Sequence, residues 1–187
     1  MPNRMIAPLL ALAALASAQT AQAQEQGCVA PADLSDAVVY AMPIAFDAAR
    51  TACANRLTRG GFMATQGDTY IAQFRSQQDK AWPGAFRMIK TFMADEKNEG
   101  ADSSSADISA MIANMSEGAL RPFLDALIGQ MIAEEIKPDS CAKIERGLEL
   151  INPLPTNNVG ALVAFIIEVS DMKNPPVCAA PQTAPKR

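Results

Sequence analysis

The sequence predicts an all-α fold, a multihelical single domain of about seven helices closed by two disulfides. Three observations lead there. Apolar residues recur at steps of three and four along most of the chain, no stretch of five or more residues alternates with period two, and the four cysteines follow what reads as an export signal. A length of 187 residues leaves room for one such domain with tails.

Residues 1–23 read as a cleaved secretory signal peptide. Arg4 supplies the positive start, residues 5–15 form an apolar run of eleven, and two small-x-small sites follow at Ala16-Ser17-Ala18 and Ala21-Gln22-Ala23. The run is shorter than the ~18 residues a bilayer span needs. Cleavage is expected after Ala23, with Ala18 as the alternative. The style of the signal is bacterial, so a periplasmic or secreted protein is expected. Cys28 stands behind Glu25-Gln26-Gly27 rather than directly behind the apolar run, which argues against lipidation.

The helical domain is expected over residues 24–174. Its first pattern is Val38, Met42, Phe46, Ala49, Cys53 and Leu57, with steps of 4, 4, 3, 4 and 4. Ser35 suits its N-cap, and Pro43 interrupts it, so a sharp break is expected there. After Arg59-Gly60-Gly61 a second pattern opens at Asp68; Pro83-Gly84 divides it into helices expected over 68–80 and 83–94, with Pro83 in first position. Residues 95–105 are polar and acidic and read as a flexible loop.

Ser105 then caps a helix carrying Ile108, Met111, Ile112 and Met115, and Ser116 caps one whose broad apolar stripe runs from Leu120 to Ile136. A short helix carrying Ile144, Leu148 and Ile151 stops at Asn152-Pro153-Leu154-Pro155. The last helix begins at Thr156 or Asn157 and ends near Ser170. Its run 159–167 is nine residues long, which reads as a buried core helix rather than a membrane span. Residues 175–187 form a Pro-rich tail tethered at Cys178.

Cys28, Cys53, Cys141 and Cys178 read as two disulfides. A hairpin of the last two helices would bring Cys178 beside Cys141, leaving Cys28 with Cys53. That second pairing requires the break at Pro43. An unbroken helix would place Cys53 about 27 Å beyond Ser35, and the link from Cys28 to Ser35 reaches only ~25 Å. The rival arrangement is Cys28–Cys178 with Cys53–Cys141. Each local bridge would contribute about 3–4 kcal/mol in the chain-entropy account.

Composition removes several chemistries. With no histidine there is no Ser-His-Asp triad and no His-ligated metal, and a net charge of −4 offers no excess of cations for a phosphate backbone. Met111 and Met115 share a helix face and could offer soft ligands to Cu(I), but they also continue the core stripe of Ile108 and Ile112. Asp95, Glu99 and Asp102 resemble part of a calcium loop, yet Lys97 and Ala106 occupy two of its ligand positions. Glu134-Glu135 could pair as catalytic acids, and Arg50, Arg56 and Arg59 form a small basic patch; both also suit ordinary solvated surface. No cofactor is expected.

Trp82, with Phe86 one turn on, is a possible partner contact, or else a core tryptophan. These readings favour a non-enzymatic protein-interaction module of adaptor, inhibitor or immunity type, its partner unknown. The alternative is a carrier or chaperone for apolar ligands, suggested by aliphatic, Met-containing helices with Pro/Gly joints. A carboxylate hydrolase comes third.

Overall fold

The computed structural model describes residues 27–98, 112, 115, 117–170 and 175–179. The expected signal peptide and most of the expected 95–105 loop and 105–115 helix lie outside the described residues. Among those described there are seven α-helices and no strand. They are α1 (Pro31–Ala52), α2 (Phe62–Thr65), α3 (Gly67–Arg75), α4 (Gln78–Asn98), α5 (Glu117–Glu135), α6 (Cys141–Ile151) and α7 (Thr156–Val169). A 3-10 turn, Pro138–Ser140, leads into α6. The expected loop gives up its first residues, since α4 continues through Asn98.

The fold is built around α1. The helix starts four residues before the expected Ser35 cap, at Pro31, where proline's fixed φ suits a first position and its missing N–H has no helical partner to lose. It then runs unbroken through Pro43. Proline removes one intrahelical bond. At Pro43 the carbonyl left without its helical donor is that of Val39; one residue on, the Tyr40 carbonyl accepts a hydrogen bond from the Gln78 side chain at 3.1 Å. Helices α3, α4, α5 and α7 pack around α1. Its buried residues, Leu34, Ala37, Val39, Tyr40, Pro43, Phe46, Ala48 and Ala49, accordingly occupy more than one face. The single stripe expected from sequence covers part of this surface and omits Tyr40 and Val39.

Two close crossings onto α1 are made by glycine. A Cβ at Gly160 of α7 would lie 2.7 Å from Ser35 Oγ, 2.8 Å from the Ser35 carbonyl oxygen and 2.9 Å from Val39 Cγ2. A Cβ at Gly84 of α4 would meet the Asp36 carboxylate. Ion pairs also tie neighbours to α1: Arg87–Asp33 at 2.6 Å from α4, and Arg75–Asp47 at 2.8 Å and Arg50–Asp68 at 2.6 Å from α3. Exposed pairs of this kind contribute about 0.2–1 kcal/mol each, so packing dominates. Asp68, expected as an N-cap, lies in the first turn of α3 and serves instead as the partner of Arg50.

The main core gathers Tyr40, Phe46, Phe62, Met63, Tyr70, Ile71, Phe74, Trp82, Leu120, Leu124 and Val159 with smaller neighbours. Aromatic rings are scarce in the chain, at 5% of residues, but they are concentrated here. Tyr70 meets Phe62 and Phe74 edge to face, at centroid distances of 5.7 and 5.2 Å. The α3–α4 corner falls at Ser76-Gln77, not at the expected Pro83, which sits inside α4. Neither corner residue is Gly or Pro. The bend lets Phe74 on one side and Ala81 and Trp82 on the other all reach the core. Pro122 is the sixth residue of α5, just beyond the first turn in which proline is best tolerated.

The disulfides join Cys28 to Cys178 and Cys53 to Cys141, which overturns the expected local pairs and the break at Pro43 together. A helix of 22 residues is about 33 Å long. Its unbroken length separates Cys28 from Cys53, and each must find a partner at its own end. The expected hairpin of α6 and α7 is also absent, because α7 packs on α1 instead. Each bridge spans far more chain than a local one, with sequence separations of 150 and 88. In the chain-entropy account each, taken singly, contributes about 4–5 kcal/mol.

Candidate functional site

The half-buried polar joint between α1, α4 and α5 is chemically the densest region. The Tyr40 hydroxyl donates to Asp125 Oδ1. Arg121 donates from Nε to the Tyr40 hydroxyl oxygen at 3.2 Å and pairs through Nη1 with Asp79 at 2.6 Å. Its guanidinium lies 5.3 Å from the Tyr40 ring centroid and 5.7 Å from that of Trp82. Burial, and then the hydrogen bond to Asp125, raise the Tyr40 pKa above its ordinary value. The phenol therefore stays protonated and acts as a donor. With all these groups engaged in mutual contacts, the joint fastens three helices.

Beside it a cleft of about 570 Å³ opens between α1, α3, α4 and α5. Pro43, Ile44, Ala48, Ala126 and Gly129 line it along α1 and α5, while Asp47, Arg75, Gln78 and Asp125 add polar groups. Arg75 donates to both oxygens of Asp47, at 2.8 and 2.9 Å. An apolar ligand placed here would lie against an ion pair, which favours water over lipid-like cargo.

The third feature is apolar. Leu162, Phe165, Ile166 and Val169 are 42, 57, 53 and 62% exposed. Their spacing of three, one and three residues puts them on one face of α7. Gly160 and Ala164, on the opposite face, are buried, and so is Val159 in the first turn, where the helix enters the main core. The run 159–167 is therefore not the fully buried core helix expected from sequence. Among the described residues its main neighbour is α1, which covers one side only. The sequence does carry this signal, because a helix apolar on every face must expose some of it unless surrounded.

The residues singled out from sequence are dispersed. Trp82 is buried at 8% exposure, between Tyr40 at 5.1 Å and a stacked Phe86 at 5.3 Å, so its indole packs in the core. Phe86 is half-buried, with the Lys90 ammonium 4.8 Å from its ring centroid. Met115 packs against the main core, while Met111 lies outside the described residues. Glu134 accepts a hydrogen bond from Gln130 on the exposed side of α5. Of the three arginines, Arg50 is paired with Asp68. Asp95 falls within α4, and Glu99 and Asp102 lie outside the described residues. All four cysteines are disulfide-bonded. Among the described residues no group of three or more Asp, Glu or Cys could hold a metal ion, and no helix is long and apolar enough to cross a membrane.

Neither protein-family models, nor curated proteins, nor solved structures match this chain, so its candidate site rests on its own geometry.

Proposed function

We propose that this chain is an exported, non-enzymatic protein-interaction module that docks through the outer face of α7. The observation that carries the reading is the exposed stripe of Leu162, Phe165, Ile166 and Val169. Contiguous exposed apolar surface is costly to keep in water and marks contact sites. Anchors at this spacing are the pattern by which a helix enters a groove. The only ionised residue on α7 is Glu168, so the partner is a protein offering an uncharged, apolar groove. Long-range disulfides and no spanning helix among the described residues agree with an oxidising compartment outside the cytosol.

The test is a photo-crosslinking amino acid placed at Phe165 in the producing cell, with the exposed Gln73 on α3 as control position. A discrete adduct with another protein at Phe165 and not at Gln73 is the expected result. Adducts only with lipid or a small ligand would replace the reading by that of an apolar carrier. Equal labelling at both positions would dispose of the face altogether.

A further inference from the structure

The two disulfides differ in a way that gives the fold a movable part. Cys53 and Cys141 are 1 and 2% exposed, whereas Cys28 and Cys178 are both partly exposed. The outer bridge closes a short strap. Within it Val29 N donates to the Pro176 carbonyl at 2.8 Å and Cys178 N donates to the Val29 carbonyl at 2.9 Å, forming one isolated parallel bridge between Val29 and Val177. Beneath the strap lies a second apolar cluster, separate from the main core: Val29, Leu34 and Ala164, packed by Met88, Phe92, Ile167 and Val177. Two of these, Ala164 and Ile167, are residues of α7, whose outer face carries the exposed stripe.

We propose that Cys28–Cys178 is a reducible clasp, and that opening it frees residues 175–179 and extends the apolar surface of α7 onto the cluster beneath. The reductant is a dithiol. One of its thiolates attacks a sulfur of the clasp, giving a mixed disulfide and releasing the other cysteine as a thiolate, which takes a proton. The second thiol of the reductant, deprotonated, then attacks the mixed disulfide and frees the remaining cysteine. The clasp is reduced to two thiols and the dithiol is oxidised to its disulfide. Attack requires access to sulfur; the partly exposed cysteines of the clasp leave more room for it than the buried Cys53 and Cys141. Once cut, the strap is held, among the described residues, by two backbone hydrogen bonds and the packing of Pro175 and Val177. The inner bridge continues to hold the end of α1 to α6. The clasp itself is independent of the docking role proposed above; only the use of the enlarged surface rests on that role.

The experiment treats the oxidised protein with limiting dithiothreitol under native conditions, quenches with N-ethylmaleimide at intervals, and maps the labelled cysteines by mass spectrometry. Cys28 and Cys178 should label together, at least about tenfold faster than Cys53 and Cys141. The singly reduced species should enhance the fluorescence of an apolar dye such as ANS while keeping its far-UV circular dichroism. Labelling of all four cysteines in one phase, or of Cys53 and Cys141 first, would overturn the clasp. So would a singly reduced species that binds no dye. The variant C28S/C178S supplies a second check: a helical protein with its inner bridge intact and dye bound is expected, and loss of the helical spectrum would overturn the clasp by showing that the bridge is needed for folding. Because every readout is made without a partner, failure of the clasp is distinct from failure of crosslinking at Phe165.

Discussion

Replacing Gly160 by alanine sets two opposing effects against each other, and the structure supplies the sign. In a helix interior, glycine to alanine gains about 1 kcal/mol from propensity alone. At Gly160 the added Cβ would lie under 3.0 Å from three atoms of α1, and one of them, the Ser35 carbonyl oxygen at 2.8 Å, belongs to backbone and cannot swing aside. α1 and α7 would have to separate along their crossing. Overpacking of this kind costs about 1–3 kcal/mol, and more where the neighbour is rigid. With backbone in the way the cost falls in the upper part of that range, about 2–3 kcal/mol, so a net destabilisation of about 1–2 kcal/mol is expected for Gly160→Ala.

Gly147 provides the matched control. It lies within α6, and a Cβ added there would meet nothing within 4 Å, so Gly147→Ala should stabilise by about 0.5–1 kcal/mol. The assay is urea unfolding with both disulfides intact, followed by far-UV circular dichroism, comparing midpoints at constant m-value. The same chemical change at two helical glycines should move the midpoint in opposite directions. If Gly160→Ala stabilises as much as Gly147→Ala, the close crossing of α7 on α1 is refuted, and the orientation of its exposed stripe with it.

Three further expectations follow from buried or partly buried polar groups. The Tyr70 hydroxyl is buried with no hydrogen-bond partner among the described residues, and burial pushes its pKa up to about 12; Tyr70→Phe should therefore be neutral or stabilising by up to about 1 kcal/mol in urea unfolding, and a loss above about 1 kcal/mol would contradict it. Burial, then the charge of Asp33, raise the Asp36 pKa above its ordinary value against the opposing pull of Arg87 and Lys80. The folded state thus holds this proton more tightly than the unfolded chain, so the stability it contributes is present below about pH 3.9 and is lost as pH rises through the folded-state pKa. Asp36→Asn should accordingly gain stability relative to the parent as pH rises from about 3.5 to about 7, and a gap that is flat or shrinks with pH would reverse the sign. Finally, Glu145 of α6 accepts from the Met63 backbone N–H at 3.1 Å, capping the start of α2 from outside; Glu145→Ala should cost about 1 kcal/mol and speed amide exchange at Met63, and unchanged exchange would rule out the cap.

Much of the secondary structure is readable because helical periodicity is local. Residues 141–151 and 156–169 fall within a residue or two of where breaks and spacing place them. Proline is the least reliable guide. Pro43 and Pro83, expected to break or open helices, both lie inside them, since the lost backbone bond can be offset by tertiary packing. The exposure of α7 departs from expectation for the complementary reason: hydrophobicity says which helix could be buried, while the number of neighbours says which of its sides is.

By itself, the sequence determined the helical class, the positions of most helices, and that four cysteines would pair. Those properties depend on residues within a few positions of one another and on cysteine number. Tertiary structure decided which cysteines pair, which helix forms the axis, and which apolar residues face water. Each of those depends on contacts between segments far apart in the chain. The unbroken α1 holds its two ends too far apart for Cys28 and Cys53 to meet, and so sends each to a distant partner.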